Sequence, residues 1–231
     1  GFDAVAHLAE LSNDPLGQQN PALTHEINHG GSLRLAQLAR KAGVKRFVYM
    51  SSCSVYGAGE PNAVLDETSP VNPQTAYAEC KVKVENDLGQ MAGDDFEPCC
   101  LRNATAYGAS PRQRFDIVLN DLSGLAWTTK QIKLLSDGSP WRPLVHALDM
   151  CQAVHLSLIA PGDAVRGQIY NVGSSEQNYR VIDIAKIVAK EFPGCELIVG
   201  EQGADNRSYR VNFDKIQRVL PDFKCVWNAE A

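Results

Sequence analysis

The chain has 231 residues, 44% of them hydrophobic, which is enough apolar material for one large α/β domain or for one domain with a small lobe. Its formal charge of -5 and the absence of any run of Lys or Arg argue against a nucleic-acid partner. No segment approaches the ~20 apolar residues of a membrane span, and the first residues lack the pattern of a secretory signal. We therefore expect a cytoplasmic protein without a membrane partner.

The seven cysteines are an odd number, contain no C-x-x-C pair and mostly have apolar neighbours. This usage indicates reduced thiols rather than a disulfide framework. It also offers no spacing typical of a zinc site, so we predict no bound metal.

The first fifty residues predict two strands with a long helix between them. Residues 1–9 are a strand-like apolar stretch, and 11–15 are a polar turn. Apolar side chains recur at helical spacing over 21–42, and Gly43 is suited to end that helix. The apolar run 46–50 predicts a short buried strand.

Helices and strands alternate through the rest of the chain. Residues 58–74 are rich in Gly, Pro, Asp and Asn and predict a loop. Asp149 is suited to cap a helix through Leu158. The other predicted elements are helix 76–91, strand 99–102, helix 115–125, strand 170–173 and the amphipathic helix 181–192.

Tyr77 and Lys81 are one turn apart in helix 76–91, so they lie on the same face. A neighbouring ammonium lowers the pKa of a phenol, which would make Tyr77 a base. Ser52 ends the strand that begins at Arg46, where α/β sheets present their chemistry. A Y-x-x-x-K pair alone is common by chance, but together with Ser52 it indicates a catalytic site.

A Ser at a strand end, followed at this spacing by Y-x-x-x-K, resembles the extended short-chain dehydrogenase/reductase family, particularly its nucleotide-sugar epimerases. The resemblance implies an α/β fold: a Rossmann-like doubly wound parallel sheet, here lacking its first strands, with a small C-terminal α/β substrate lobe. It implies that residues 1–103 are the C-terminal part of the dinucleotide-binding domain. Residues 104–231 would mainly form the substrate lobe, with 144–172 returning to the first domain.

The family's Gly-rich phosphate loop does not occur in this sequence, which contains no G-x-x-G-x-x-G. We expect the sequence to be part of a longer chain, truncated at both ends, because losing the first strands would expose a sheet edge. The alternative is a degenerate member that cannot hold a dinucleotide normally.

The resemblance implies NAD as the cofactor and leaves NADP open, since the discriminating residue would lie upstream. Asn28 matches a helix residue that packs near the family's active site, although a solvated polar position is the alternative. The implied cofactor contacts are Leu8, Ala9, Asn28, Ser51, Tyr77 and Lys81.

The implied substrate is a nucleotide-diphosphate sugar. Residues 101–108 are similar to the family's L-R-x-x-N-x-Y-G segment, but Thr105 occupies the Asn position and Asn103 lies two residues earlier. Which of the two contacts substrate stays open. Residues 136–149 are similar to D-G-x-x-x-R-x-x-x-H-x-x-D, where Arg142 could hold a diphosphate or pair with Asp149.

The other substrate candidates share positions in turns, loops or helix starts that border the implied pocket. For Ser12 an ordinary turn role, and for Asp205 and Arg207 a charged surface loop, are the alternatives. These candidates are Ser12, Cys53, Ser54, Asn120, Asp205 and Arg207.

The implied reaction is epimerisation through a transient keto sugar, with Tyr77 as base, Lys81 beside it and Ser52 orienting the oxygen. A reductase or dehydrogenase of a nucleotide sugar or small carbonyl compound is one alternative, and a non-catalytic module with this fold is another. Family dehydratases carry Asp-Glu after the Ser/Thr, whereas this chain has Cys53 and Ser54, so we predict no 4,6-dehydratase activity. The resemblance also implies a homodimer through helices 21–42 and 76–91.

Overall fold

The computed structural model describes residues 1–12, 14–58, 63–202 and 208–230, and the side chains of residues 14–16 are not described. The strands are β1 Ala4–His7, β2 Arg46–Ser52, β3 Val64–Leu65, β4 Glu97–Asn103, β5 Thr105–Tyr107, β6 Gln131–Lys133, β7 Trp141–His146, β8 Gln168–Val172, β9 Asn178–Arg180, β10 Glu196–Ile198 and β11 Arg210–Val211.

The helices are α1 Asp14–Gln19, α2 Pro21–Thr24, α3 Ser32–Lys41, α4 Ala76–Met91, α5 Val118–Thr129, α6 Ala147–Ile159, α7 Gly162–Val165, α8 Val181–Glu191 and α9 Asp214–Val219. A π-helical segment, His25–Gly31, joins α2 to α3, and a 3-10 turn, Cys53–Tyr56, follows β2. The predicted helices 21–42 and 76–91 are therefore confirmed, the first with a widened middle.

A parallel four-stranded sheet forms the centre, in the order β1-β2-β4-β8. Ser52 pairs with Asn103, and Asn103 with Val172, so the carboxyl ends of three strands lie side by side. Smaller sheets pair β5-β7-β9, β6-β10 and β3-β11. The predicted α/β class with a parallel sheet is confirmed.

Side chains of β2 alternate between the two faces of the central sheet, as the strand geometry requires. Phe47 and Tyr49 belong to one apolar cluster, together with residues of α3 and α4. Val48 belongs to the cluster on the other face, which also contains Phe213 and Ile216 from the C-terminal part of the chain. A third cluster lies between α5, α8 and the smaller strands. The proposed domain boundaries stay a prediction.

Helix α6 begins differently from the prediction, which placed Asp149 at its N-cap. The N-cap is His146, whose Nδ1 accepts a hydrogen bond from the Leu148 backbone N–H at 3.2 Å. Asp149 instead accepts hydrogen bonds from the backbone N–H groups of Val226 and Trp227 at 3.1 and 3.3 Å. The capping assignment was wrong because a distant segment binds this carboxylate.

No helix in the part of the chain that the structure describes combines the length and apolar character needed to cross a membrane.

Candidate active site

Tyr77 lies in the first turn of α4, at a start fixed by the residue before the helix. Thr75 has extended backbone, and its hydroxyl accepts a hydrogen bond from the Ala78 N–H at 3.2 Å, as a good N-cap does. Helix α4 packs against β2 and the 3-10 turn. The Tyr77 side chain is half-buried, and among the described residues no group hydrogen-bonds to its phenol. This leaves the phenol available to a bound molecule.

Lys81 connects three elements of the central fold. Its ammonium donates to the Met50 carbonyl oxygen at 2.5 Å and forms an ion pair with Glu10 Oε2 at 2.6 Å. Its Nζ lies 5.2 Å from the centre of the Tyr77 ring and 4.6 Å from that of Tyr49. The predicted pairing of Lys81 with Tyr77 is therefore present, although the nearest charge to Lys81 is a carboxylate that the sequence patterns did not single out.

Ser52 caps the 3-10 turn, since its Oγ accepts a hydrogen bond from the Ser54 N–H at 3.1 Å. A hydroxyl that accepts one hydrogen bond still has its own proton to donate. Ser52 thus keeps a donor at the carboxyl end of β2, and its catalytic role stays a prediction.

Cys53 and Ser54, the two residues after Ser52, point into the protein. The Cys53 thiol donates to the Arg102 carbonyl oxygen at 3.2 Å, and burial raises the pKa of Cys53 well above its usual value. The Ser54 hydroxyl is buried without a hydrogen-bond partner in the described part of the chain. Their substrate roles stay predictions, and a raised pKa makes Cys53 a poor acid at neutral pH.

Ser51 and Asn103 are also engaged inside the sheet. Ser51 Oγ donates to Glu85 Oε1 at 2.5 Å. Asn103 Nδ2 donates to the carbonyl oxygens of Ser51 and Leu101 at 3.1 and 2.9 Å. The proposed cofactor contact of Ser51 and substrate contact of Asn103 are untested, and both side chains already have structural partners.

Asn28 is fully buried, so the alternative of a solvated polar position was wrong. Its side-chain oxygen accepts from the Leu11 N–H at 2.8 Å, and its Nδ2 donates to the Leu11 carbonyl oxygen at 3.0 Å. This paired bond fixes the turn that follows β1, where Leu8, Ala9 and Ser12 are exposed.

The remaining described substrate candidates lie on the smaller sheets and α5. Arg142, in β7, is buried, donates to the Trp141 carbonyl oxygen at 2.8 Å and lies 5.9 Å from the centre of the Tyr209 ring. Thr105 is half-buried in β5, which pairs with β7. Asn120 Nδ2 donates to the Arg114 carbonyl oxygen at 3.0 Å, which braces the preceding loop.

Asp205 and Arg207 lie outside the described residues. Within the described ranges, no three His, Cys, Asp or Glu side chains come together as a metal site.

Glu10 is the charged neighbour of Lys81 that the sequence patterns missed. Its Oε1 accepts hydrogen bonds from the Tyr49 hydroxyl at 2.7 Å and the Ser32 hydroxyl at 3.1 Å, while Oε2 faces Lys81. The only signal in the sequence is an acidic residue just after the strand that ends at His7. Its partners come from three other elements, so no local pattern could identify them.

Three features of this site define a class of Rossmann-fold oxidoreductases and isomerases. They are a parallel sheet, a hydroxyl at the end of one of its strands, and a Tyr and a Lys one turn apart on the next helix. The model of the NAD dependent epimerase/dehydratase family matches residues 1–173, and the chain belongs to this family. The predicted family and Rossmann-like fold class are thereby confirmed.

Individual relatives include both epimerases and dehydratases. A UDP-glucose 4-epimerase of Mycolicibacterium smegmatis is 33% identical over 74% of this chain and 55% of its own length. A dTDP-D-glucose 4,6-dehydratase of Mus musculus is 28% identical over 80% of this chain and 50% of its own length. The chain thus spans about half the length of these two relatives.

Among solved structures, MoeE5 in complex with UDP-glucuronic acid and NAD superposes with a TM-score of 0.84 at 26% identity. The similarity covers 99% of this chain and 76% of that chain.

Proposed function

We propose that this chain carries the catalytic part of an NAD-dependent epimerase that acts on a nucleotide-diphosphate sugar through a transient keto intermediate. The observation that carries the proposal is the half-buried Tyr77 beside the Lys81 ammonium, on a helix that packs against the strand ending at Ser52. The epimerases among the relatives and the NAD and sugar nucleotide bound to MoeE5 support it.

The residues at this edge of the sheet fit the nicotinamide half of the cofactor. Lys81 has three N–H donors. The Met50 carbonyl oxygen takes one and Glu10 lies beside the ammonium as an ion pair, so a donor remains for a ribose hydroxyl. Exposed Leu8 and Ala9 at the end of β1 offer apolar surface beside it. When bound, NAD takes a hydride from the sugar carbon and returns it. We propose NAD, with NADP open, as this cofactor.

In the proposed reaction, Tyr77 as phenolate removes the proton of the sugar hydroxyl whose carbon is oxidised. Lys81 supplies positive charge beside that phenolate, and Ser52 donates a hydrogen bond to the oxygen as it becomes a carbonyl. Rotation of the keto sugar then presents its other face, and Tyr77 returns the proton. The net result is inversion at one carbon.

Elimination of water needs an additional acid and base, and this separates the epimerase from the dehydratases among the relatives. The two positions after Ser52 hold Cys53 and Ser54, neither of which is a carboxylic acid. The raised pKa of buried Cys53 removes it further from acid catalysis. These side chains favour epimerisation over 4,6-dehydration.

The substrate's diphosphate is proposed to bind Arg142, with Thr105, Asn103, Asn120, Asp205 and Arg207 as further contacts of the nucleotide sugar. Arg142 lies on the β5-β7-β9 sheet, outside the central sheet that carries Tyr77. This placement supports a division in which residues 1–103 hold the cofactor and most of 104–231 hold the substrate.

The experiment that tests the proposal supplies the purified full chain with UDP-glucose and a trace of NAD. We expect a new C4-epimeric sugar nucleotide to accumulate to equilibrium, without net formation of NADH, as followed by proton NMR and absorbance. Other nucleoside diphosphate hexoses would be tried in parallel, because the side chains do not define the sugar.

Stoichiometric oxidation of NADH or NADPH would instead support a reductase acting on the same residues. A 4-keto-6-deoxy sugar nucleotide as product would overturn the epimerase proposal in favour of a 4,6-dehydratase. Absence of any turnover and of NADH binding, measured by quenching of protein fluorescence, would favour a non-catalytic module.

We also propose a homodimer through helices 21–42 and 76–91. Apolar side chains on the first of these helices are exposed, among them Leu23 and Leu38 at 44% and 53%. Leu38→Glu is expected to weaken the dimer by about tenfold or more in its dissociation constant, because it places a charge in an apolar contact. Sedimentation velocity over a concentration series measures this effect.

The matched control for that substitution is Leu148→Glu, which changes an equally exposed leucine (57%) on α6. It should leave the dissociation constant unchanged. A monomeric wild type, or equal effects of the two variants, would contradict an interface on these helices.

A further inference from the structure

Glu10 and Lys81 form an ion pair that is almost completely shielded from water. Only 3% of the Glu10 side chain and 5% of the Lys81 side chain are exposed. Two charges at this depth are costly to bury unless each is held by the other and by further hydrogen bonds. The carboxylate meets that condition, since Tyr49 and Ser32 both donate to its second oxygen.

Two short contacts fix the position of the ammonium group. The Met50 carbonyl oxygen accepts a hydrogen bond from it at 2.5 Å, and Glu10 Oε2 lies 2.6 Å from Nζ as an ion pair without hydrogen-bond geometry. These contacts hold Nζ at 5.2 Å from the centre of the Tyr77 ring.

Glu10 also supplies the negative charge that opposes Lys81 at this place. The other titratable groups that face the pair are neutral at pH 7 or already paired. Burial lowers the pKa of His7, against the opposing charge of Glu10. Burial raises the pKa of Tyr49 well above its usual value, and the charge and hydrogen bond of Glu10 add to this.

The two cysteines near the pair are also uncharged at pH 7. Burial raises the pKa of Cys80 to about 11 and that of Cys100 well above its usual value. Glu85 and Arg102, which lie further along, form an ion pair with each other at 2.7 Å. The charge that reaches Tyr77 from this cluster is therefore that of Lys81, offset by that of Glu10.

We infer that Glu10 is a positioning residue that orients the Lys81 ammonium and offsets its charge, and so restrains how readily Tyr77 ionises. The inference rests on the proposed function in that Tyr77 is the base, but it concerns the ionisation of the protein alone. It predicts that removing the Glu10 charge makes tyrosinate form at lower pH, because Lys81 is then unopposed.

Glu10→Gln removes the charge and keeps the shape. The amide oxygen can face Lys81 while the amide nitrogen donates to the hydroxyl oxygens of Tyr49 and Ser32. A unit charge acting over several ångströms in a protein changes an ionisation equilibrium by about tenfold. We therefore expect the Tyr77 part of the titration to lie about one pH unit lower in Glu10→Gln than in the wild type.

The measurement is a titration followed by the ultraviolet difference absorbance of tyrosinate, on the full chain without cofactor or substrate. Burial raises the pKa of several tyrosines and so delays their ionisation to higher pH; these are Tyr49, Tyr56, Tyr107, Tyr170 and Tyr179. Repeating both titrations in a Tyr77→Phe background isolates the Tyr77 signal.

The matched control is Glu97→Gln, at the opposite end of the sheet. Glu97 is likewise buried and pairs with Arg46 at 2.9 Å. Its substitution should destabilise the chain without moving the Tyr77 titration. An unmoved or upward-shifted titration in Glu10→Gln, or an equal shift in Glu97→Gln, would overturn the inference.

A second variant covers the case in which Glu10→Gln does not fold. Tyr49→Phe removes a hydrogen bond to Glu10 and keeps the ring. The negative charge of Glu10 is then less offset by that donor and acts more strongly on its surroundings. The Tyr77 titration should therefore move to higher pH. A shift to lower pH in this variant would also overturn the inference. Because no titration uses turnover, a failure of the proposed function would be seen separately, as absent epimerisation with the titration shift intact.

Discussion

Tyr77→Phe is expected to reduce turnover by about 10³-fold and to leave the fold intact. The substitution removes only the phenol oxygen, which has no hydrogen-bond partner among the described residues. The ring stays in the first turn of α4, 5.2 Å from Lys81, so packing and the helix start are preserved. Without the oxygen, no group in this position can take the hydroxyl proton of the sugar.

The measurement compares kcat for epimerisation with the thermal unfolding midpoint and the far-ultraviolet circular dichroism of the same preparation. Lys83→Met is the control, since Lys83 is an exposed residue on the same helix, two positions beyond Lys81. It should retain activity within about twofold. Full activity of Tyr77→Phe would refute the assignment of the base.

The largest effect on stability is expected from Arg102→Met. Arg102 donates from Nε to Glu85 Oε1 at 2.9 Å and from Nη2 to Oε2 at 2.7 Å, and these side chains are 6% and 2% exposed. Arg102 Nη1 also donates to the Tyr56 hydroxyl at 3.0 Å. Removing the guanidinium leaves a buried carboxylate unpaired, which costs about 3–5 kcal/mol of unfolding free energy.

Urea denaturation measures this loss, and a double variant identifies its cause. In Arg102→Met/Glu85→Leu both charges of this pair are removed, so most of the lost free energy should return. A double variant as unstable as the single one would show that packing, rather than the unpaired carboxylate, accounts for the effect. Since Glu85 accepts from Ser51 Oγ, the carboxyl end of β2 should also loosen in the single variant.

The parts of the site that were predicted from the sequence are those that local periodicity determines. Tyr77 and Lys81 share a face because they are one turn apart, and helix 76–91 has the predicted bounds. Ser52 lies at the end of β2 because an apolar run that long forms a buried strand. Each of these features depends on residues that are close in the chain.

The contacts that hold the site together join residues far apart in the sequence, and no pattern predicted them. Glu10 meets Lys81, and Asn28 meets Leu11, only once β1, the π-helical segment and α4 have packed together. The wrong capping assignment of Asp149 has the same origin, because the backbone that binds it arrives from residues 226 and 227. Local sequence propensities contain no information about partners that come from distant parts of the chain.

The π-helical segment His25–Gly31 changes the phase of the long helix in which it lies. A π turn holds about one residue more than an α turn, which is equivalent to a rotation of about 100° about the axis. The side chains that precede the segment are therefore rotated about the helix axis, relative to the positions they would have if the α-helical repeat of α3 continued back to them. Within the segment, the Asn28 side chain bonds to the turn after β1, and the next residue, His29, contacts Asp87 of α4 at 2.7 Å. In length, the segment is the equivalent of a one-residue insertion that the helix absorbs as a bulge. Deleting one residue there would return the helix to a regular α repeat and remove the widened turn in which Asn28 and His29 lie.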